Sequence, residues 1–200
     1  MSYAEAQLDR MVAGLVIPCY VVAVDLVAAM VRVTDGGDWT SAWVRWHAIA
    51  AGKARHWRAP SLGEQGVLVS PSGEPAQGTF VPGLYGNAGP PPDNRDHVEV
   101  WRFDDGGSLI YDWAANSYTI KLPTGTVNIE VGSSKATITD DAISAKSKAI
   151  TAEAETYTAI APEILLQGNV KIDGALLVTL DIHGLGKIID TAGNTANHKH

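Results

Sequence analysis

The chain stops using large side chains halfway along. All six tryptophans (Trp39, Trp43, Trp46, Trp57, Trp101 and Trp113) precede residue 114, and beyond them only Tyr118 and Tyr157 are aromatic. The second half is built from Ala, Ile, Val, Thr and Ser in short alternating runs: Val127, Ile129 and Val131, then Ala136 and Ile138. Alternation at i and i+2 gives an extended strand one apolar face and one polar face. Further on, Ile143, Ile150, Tyr157 and Ile164 recur at a step of seven, with Ala145, Ala152 and Ala154 between them. A coiled coil would need apolar residues at the matching d positions. Those positions hold Lys146, Glu153, Ile160 and Gln167. The density of Thr, Ser and β-branched residues favours short strands joined by tight turns. Such a ribbon is marginal in water, and its open edges recruit other chains. Small apolar residues at a repeating position suit a narrow axis shared by several copies. The expectation is a homotrimer, each chain supplying one wall of a prism. A single-chain solenoid is the alternative, for which the run is short.

The first half reads differently. Residues 3–12 place Ala4, Leu8, Met11 and Val12 at the spacing of a short amphipathic helix. Residues 11–24 contain no charged side chain, but Pro18 interrupts them and they are too short to span a hydrocarbon core of ~30 Å. A buried strand is expected there. Ile17, Cys19 and Val21 alternate, as do Val31 and Val33, and Asp35-Gly36-Gly37-Asp38 is a turn cluster. Residues 43–46, 66–70 and 78–81 read as further strands, separated by Gly and Pro. Together these predict a small antiparallel barrel. Residues 87–96, with Gly89-Pro90-Pro91-Pro92, read as a stiff, extended linker. Strands at 98–103, 108–111 and 118–122 then make a meander.

The formal charge is −7, from 15 basic and 22 acidic side chains. Neither half carries the basic excess of a nucleic-acid binder, so no nucleic-acid partner is expected. Cys19 is the only cysteine and sits in an apolar run, as a small core residue does. The first residues, Met1-Ser2-Tyr3-Ala4-Glu5, lack a basic n-region. Synthesis in the cytoplasm without a signal peptide is expected.

The chain ends His198-Lys199-His200. On a strand both imidazoles would point to one side. Three chains around one axis would present six imidazoles, an octahedral nitrogen shell for a first-row transition metal. Zinc usually takes four ligands. His183, between Ile182 and Gly184, is either a further ligand or a surface turn residue, and the surface reading is preferred.

Trp43-Val44-Arg45-Trp46, Ala51-Gly52-Lys53-Ala54-Arg55-His56-Trp57, Pro60-Ser61-Leu62-Gly63-Glu64-Gln65, Ser70-Pro71-Ser72-Gly73-Glu74 and Pro82-Gly83-Leu84-Tyr85 form a recognisable series. With the terminal His-x-His, the chain resembles the baseplate assembly protein V family, the central spikes of contractile tails in P2-like phages. Within that group it looks like the spikes of R-type pyocins. The resemblance implies an all-β protein: an N-terminal OB-fold followed by an intertwined trimeric triangular β-helix with a metal-bound apex. It divides the chain into an N-terminal helix (1–13), an OB-fold collar (14–86), a linker (87–97), a meander and trimeric β-helix (98–185) and an apex (186–200). It also implies one iron ion per trimer on the threefold axis, held by His198 and His200 of each chain. The implied place is the tip of a tail-like particle, attached to tail hub or baseplate proteins. The implied action is mechanical piercing of a bacterial outer membrane.

Other chemistry finds little support in the residues. The motif at residues 60–65 lacks the lysine and glycine spacing of a phosphate loop, and reads as a turn into a strand. Ser61, Ser70 and Ser72 have His47 and His56 as potential partners, but no Gly-x-Ser-x-Gly elbow occurs. Asp104-Asp105 and Asp140-Asp141 are adjacent pairs, which on a strand face opposite ways and suit turns better than acid–base work. The tryptophans near Arg45, Arg55 and Arg58 are expected in the core or at subunit contacts. No enzymatic activity is expected. The competing reading is a β-helix protein that binds or degrades glycans. It would need aromatic platforms in the repetitive half, where Tyr157 is the only aromatic after Tyr118.

Overall fold

The computed structural model describes residues 2–187 and 189. The terminal residues His198 and His200, and with them most of the expected apex, lie outside the described residues. The chain divides into two compact units, the first ending at Lys148 and the second beginning at Ala149.

The first unit opens with helix α1 (Tyr3–Leu15), longer than the sequence pattern suggests. Its start is fixed by a capping box, in which the Ser2 hydroxyl accepts from the Glu5 N–H and the Glu5 carboxylate accepts from the Ser2 N–H. The helix runs directly into β1 (Val16–Asp25), whose first residue is already extended. Residues 11–15 of the uncharged run are therefore helix, and the strand starts at Val16, where the alternating pattern begins. Gly14 is required by packing: a Cβ there would meet the Gly73 carbonyl oxygen at 2.5 Å.

Strands β1, β2 (Met30–Thr34), β3 (Val44–Trp46), β4 (Gln65–Val69) and β5 (Thr79–Leu84) close into a barrel in the order β1-β2-β3-β5-β4. The pairings are antiparallel except β3 with β5, which run parallel. The expected all-antiparallel barrel is corrected at that seam, because the chain crosses over by residues 47–64 and β4 before β5 returns beside β3. The core is small: Cys19, Val21, Val31, Val33, Val44, Leu68 and Phe80 are buried, with Trp39 and Trp46 packed on them. Burial pushes the Cys19 thiol up to about 11, which makes it inert packing.

Strands β6 (Val98–Arg102), β7 (Ser108–Asp112) and β8 (Ser117–Lys121) form one three-stranded meander. Strands β9 (Val127–Val131), β10 (Ser134–Ile138) and β11 (Ile143–Lys146) form a second. The first falls within a residue or two of the sequence pattern; the second takes up the alternating runs at 127–138 and adds a strand at Ile143–Lys146, a segment the sequence pattern groups with the step of seven. After Lys146 no strand forms among the described residues, and every described residue from Thr139 onward is exposed. The short strands expected across Ile150, Tyr157 and Ile164 therefore do not form within one chain. A single copy offers the alternating sequence no ladder partner there, and a strand needs one to satisfy its backbone.

Candidate functional site

The residues that have most to do are on the two meanders. In β6–β8 the register stacks Trp101, Leu109 and Ile120 in one row and Glu99, Tyr111 and Tyr118 in the next. These residues lie on one face, and Trp101, Tyr111, Tyr118 and Ile120 are exposed. Glu99 accepts the Trp101 indole N–H at 3.0 Å, so the one charged group in the row steadies its neighbour.

The second sheet repeats the design with smaller residues. Its rungs align Val127 with Ile138 and Ile143, and Ile129 with Ala136 and Ala145. The other face is polar throughout: Thr137 donates to Asn128 at 3.1 Å and Lys135 pairs with Glu130 at 2.7 Å. The second sheet thus has one polar and one apolar face, whereas the first carries Val98, Val100 and Ile110 on its back face, and on its front the His56 ring meets Trp101 edge-on with centroids 6.2 Å apart. In a lone chain Ile129 is 61% exposed and Ile143 is 82% exposed. Contiguous apolar faces of this kind mark contact surfaces.

The linker ends in a clasp that the sequence reading does not contain. Arg95 bridges Asp93 at 2.8 Å and Asp112 at 3.1 Å, and His97 Nδ1 lies 3.1 Å from Asp112. Asp112 also accepts the backbone N–H groups of Ala114 and Ala115, tying the β7–β8 turn into the same cluster. The Ala115 N–H, with His97 and the Ala114 N–H, holds the Asp112 carboxyl below the usual carboxylate range. The Arg95 guanidinium does the same to Asp93. The expected free spacer is therefore fastened at its far end. The Asp93-x-Arg95-x-His97 alternation was its sequence signal, but its partner Asp112 is distant in sequence.

Pro60-Ser61-Leu62-Gly63-Glu64-Gln65 is the turn into β4. Gly63 has φ +79°, and Glu64 accepts from the Ser61 N–H at 2.9 Å while pairing with Arg58 at 2.6 Å. The tryptophans divide. Trp39 and Trp46 serve the core, whereas Trp43 and Trp57 are exposed around an open cleft of about 730 Å³ beside β2 and β3. His183 is exposed. Among the described residues no three His, Cys, Asp or Glu side chains cluster as a metal site, and no helix is long and apolar enough to cross a membrane.

The barrel and the strands that follow it each match a known family. Residues 17–85 match the type VI secretion system/phage-baseplate injector OB domain. Residues 99–158 match the Gp138 beta helical trimerization domain. The chain is similar to the spike protein of Escherichia phage P2, 27% identical over 197 residues, covering 97% of this chain and 90% of that protein. These likenesses together support kinship with the P2-like baseplate spikes.

Proposed function

We propose that this chain is the central spike at the tip of a contractile tail-like particle, and that it crosses a bacterial outer membrane by force, without catalysis. The observation that carries the reading is the second sheet, polar on one face and exposing Ile129 and Ile143 on the other, beside the exposed Trp101, Tyr111, Tyr118 and Ile120 of the first. Threefold association supplies the missing layer. Copies of residues 149–185 supply one another with the ladder partners that a single copy lacks. A strand so interwound cannot leave without breaking contacts to two other chains, and stiffness of that kind is what piercing requires. The likeness to a phage spike along nearly the whole chain, and to a trimerization domain over residues 99–158, supports the same assignment.

His198 and His200 of three chains would hold one iron ion on the axis, six neutral imidazoles around it. The donor set suits an octahedral first-row ion. The ion's contribution would be structural: it ties the three termini together so that the last strands do not fray. Lys199 would stay on the solvent side, away from the cation.

Light scattering on purified protein tests the assembly. A mass of three chains is expected, and a mass of one chain with intact β signal would refute the trimer. Elemental analysis of trimer prepared without a metal-affinity column tests the apex. One iron per three chains is expected, and replacing both histidines with alanine should remove it while leaving the trimer. Mechanical action is tested by particles carrying the spike against those lacking it, with release of periplasmic contents as the readout. Turnover of peptidoglycan or lipopolysaccharide by the purified protein would favour the glycan-degrading alternative instead.

A further inference from the structure

Between Asp38 and Glu64 the chain contains no acidic residue, although it is acidic overall. The same stretch contributes Arg45, Lys53, Arg55, Arg58, His47 and His56 together with four tryptophans. The fold gathers part of it around the cleft beside β2 and β3. Arg45 projects from β3 between Val44, which is buried, and Trp46, which packs on the core. Trp57 packs against Trp46 at a tilt of 60°, ring centroids 5.4 Å apart, and stays 62% exposed. Arg55 sits on the exposed loop closed by the bridge between Ala51 and Arg55, and donates only to the Gly52 carbonyl, at 3.4 Å. Arg58 is neutralised by Glu64. Arg45, Lys53 and Arg55 have no carboxylate partner among the described residues.

We propose that this cleft docks an acidic segment of the baseplate protein that carries the spike, with carboxylates meeting Arg45 and Arg55 and an apolar side chain lying on Trp57. The proposal rests on the reading of the chain as a baseplate spike. Arginine beside an indole face suits such an occupant, since its planar fork holds a carboxylate in two bonds and its stem covers apolar surface. The chemistry also separates this surface from the faces of the two meanders. Those are apolar and suit copies of this chain, whereas the cleft holds unpaired cations. A nucleic acid fits less well. Its affinity grows with the number of phosphates neutralised, and this cationic patch is small on a chain of charge −7. Charge complementarity would make attachment fast and sensitive to salt.

The experiment uses the full chain supplied to a producer strain whose own spike gene is deleted, with spike per particle measured by quantitative mass spectrometry. Wild-type chain should load, and its absence from particles would refute the spike reading itself, not the cleft. With wild type loading, Arg45→Glu/Arg55→Glu should load about tenfold less or worse, and Trp57→Ala should also load poorly. Lys146→Glu/Lys148→Glu, with the same change in net charge, should load normally. Arg55→Lys, which keeps the charge and loses the fork, should load between wild type and the double variant, and loading as poor as the double variant's despite the kept charge overturns the carboxylate contact. Each variant is first weighed by light scattering. If Arg45→Glu/Arg55→Glu falls apart into single chains, the cleft is an interface between copies and the proposal is wrong. Normal loading of that variant also overturns it. So does tight binding of a single-stranded dT20 probe at physiological salt that the same variant abolishes.

Discussion

Replacing Ile129 by threonine asks directly whether the bare face of the second sheet is covered. Threonine keeps the β-branch, so the strand's own conformational preference barely changes. Ile129 sits on the middle rung with Ala136 and Ala145, and in a single chain 61% of its surface meets water. If the chain worked alone, the change would fall within about 0.5 kcal/mol of neutral, as exposed substitutions do. If three copies close over this face, each loses the burial of an isoleucine side chain and gains a hydroxyl with no partner. That costs ~2–3 kcal/mol per copy, or ~6–9 kcal/mol per trimer, because one codon change enters all three chains. The assay is denaturant unfolding at several protein concentrations, followed by circular dichroism and light scattering together. Where unfolding is too slow for equilibrium, the rate of loss of the trimer band in detergent replaces it. Thr137→Ala is the control on the polar face, where only the bond to Asn128 is lost and the cost is about 1 kcal/mol or less. A cost for Ile129→Thr no larger than the control, independent of protein concentration, would refute the reasoning.

Gly66→Ala should unfold the collar or lower its melting temperature sharply, since the added Cβ would collide with the Val81 carbonyl oxygen and meet the Phe80 ring at 2.6 Å. Overpacking of that kind costs ~1–3 kcal/mol or more, and a calorimetric scan that places the collar transition at the wild-type temperature contradicts it. A chain ending after residue 97 should remain a folded barrel, because every buried apolar residue described precedes the linker; loss of its β signal would show that the meander is needed. The carboxylates of the clasp should respond to strong acid. The folded pKa values of Asp93 and Asp112 are depressed, so their contribution is complete above the unfolded value of ~3.9 and disappears as pH falls through the lower folded values. Protection of the Ala114 and Ala115 amides, measured against the intrinsic exchange rate at each pH, should hold at pH 5 and fall well below pH 4, and Asp112→Asn should lower it at pH 7.

The barrel, the first meander and the alternating strands at 127–138 were legible because their cause is local. Cys19, Val21, Val31 and Val33 announce a buried face by alternation alone, and the turns at residues 35–38 and at Gly63 are fixed by residues beside them. The parallel seam between β3 and β5 was not legible, because nothing in Val44-Arg45-Trp46 states which direction its neighbour runs. The clasp was missed for the same reason of distance. Asp112 reads as a strand-end carboxylate until the fold brings Arg95 and His97 to it from across the sheet. The step of seven at Ile143, Ile150, Tyr157 and Ile164 is a third case, in which the pattern is plain but its partner is not in the chain. A single copy leaves Ile150, Tyr157 and Ile164 exposed and without a ladder. That outcome is what the pattern itself requires. A sequence that pairs only with other copies must look unfinished alone, and the alternating residues after Val127 remain the strongest statement the chain makes about how many of it there are.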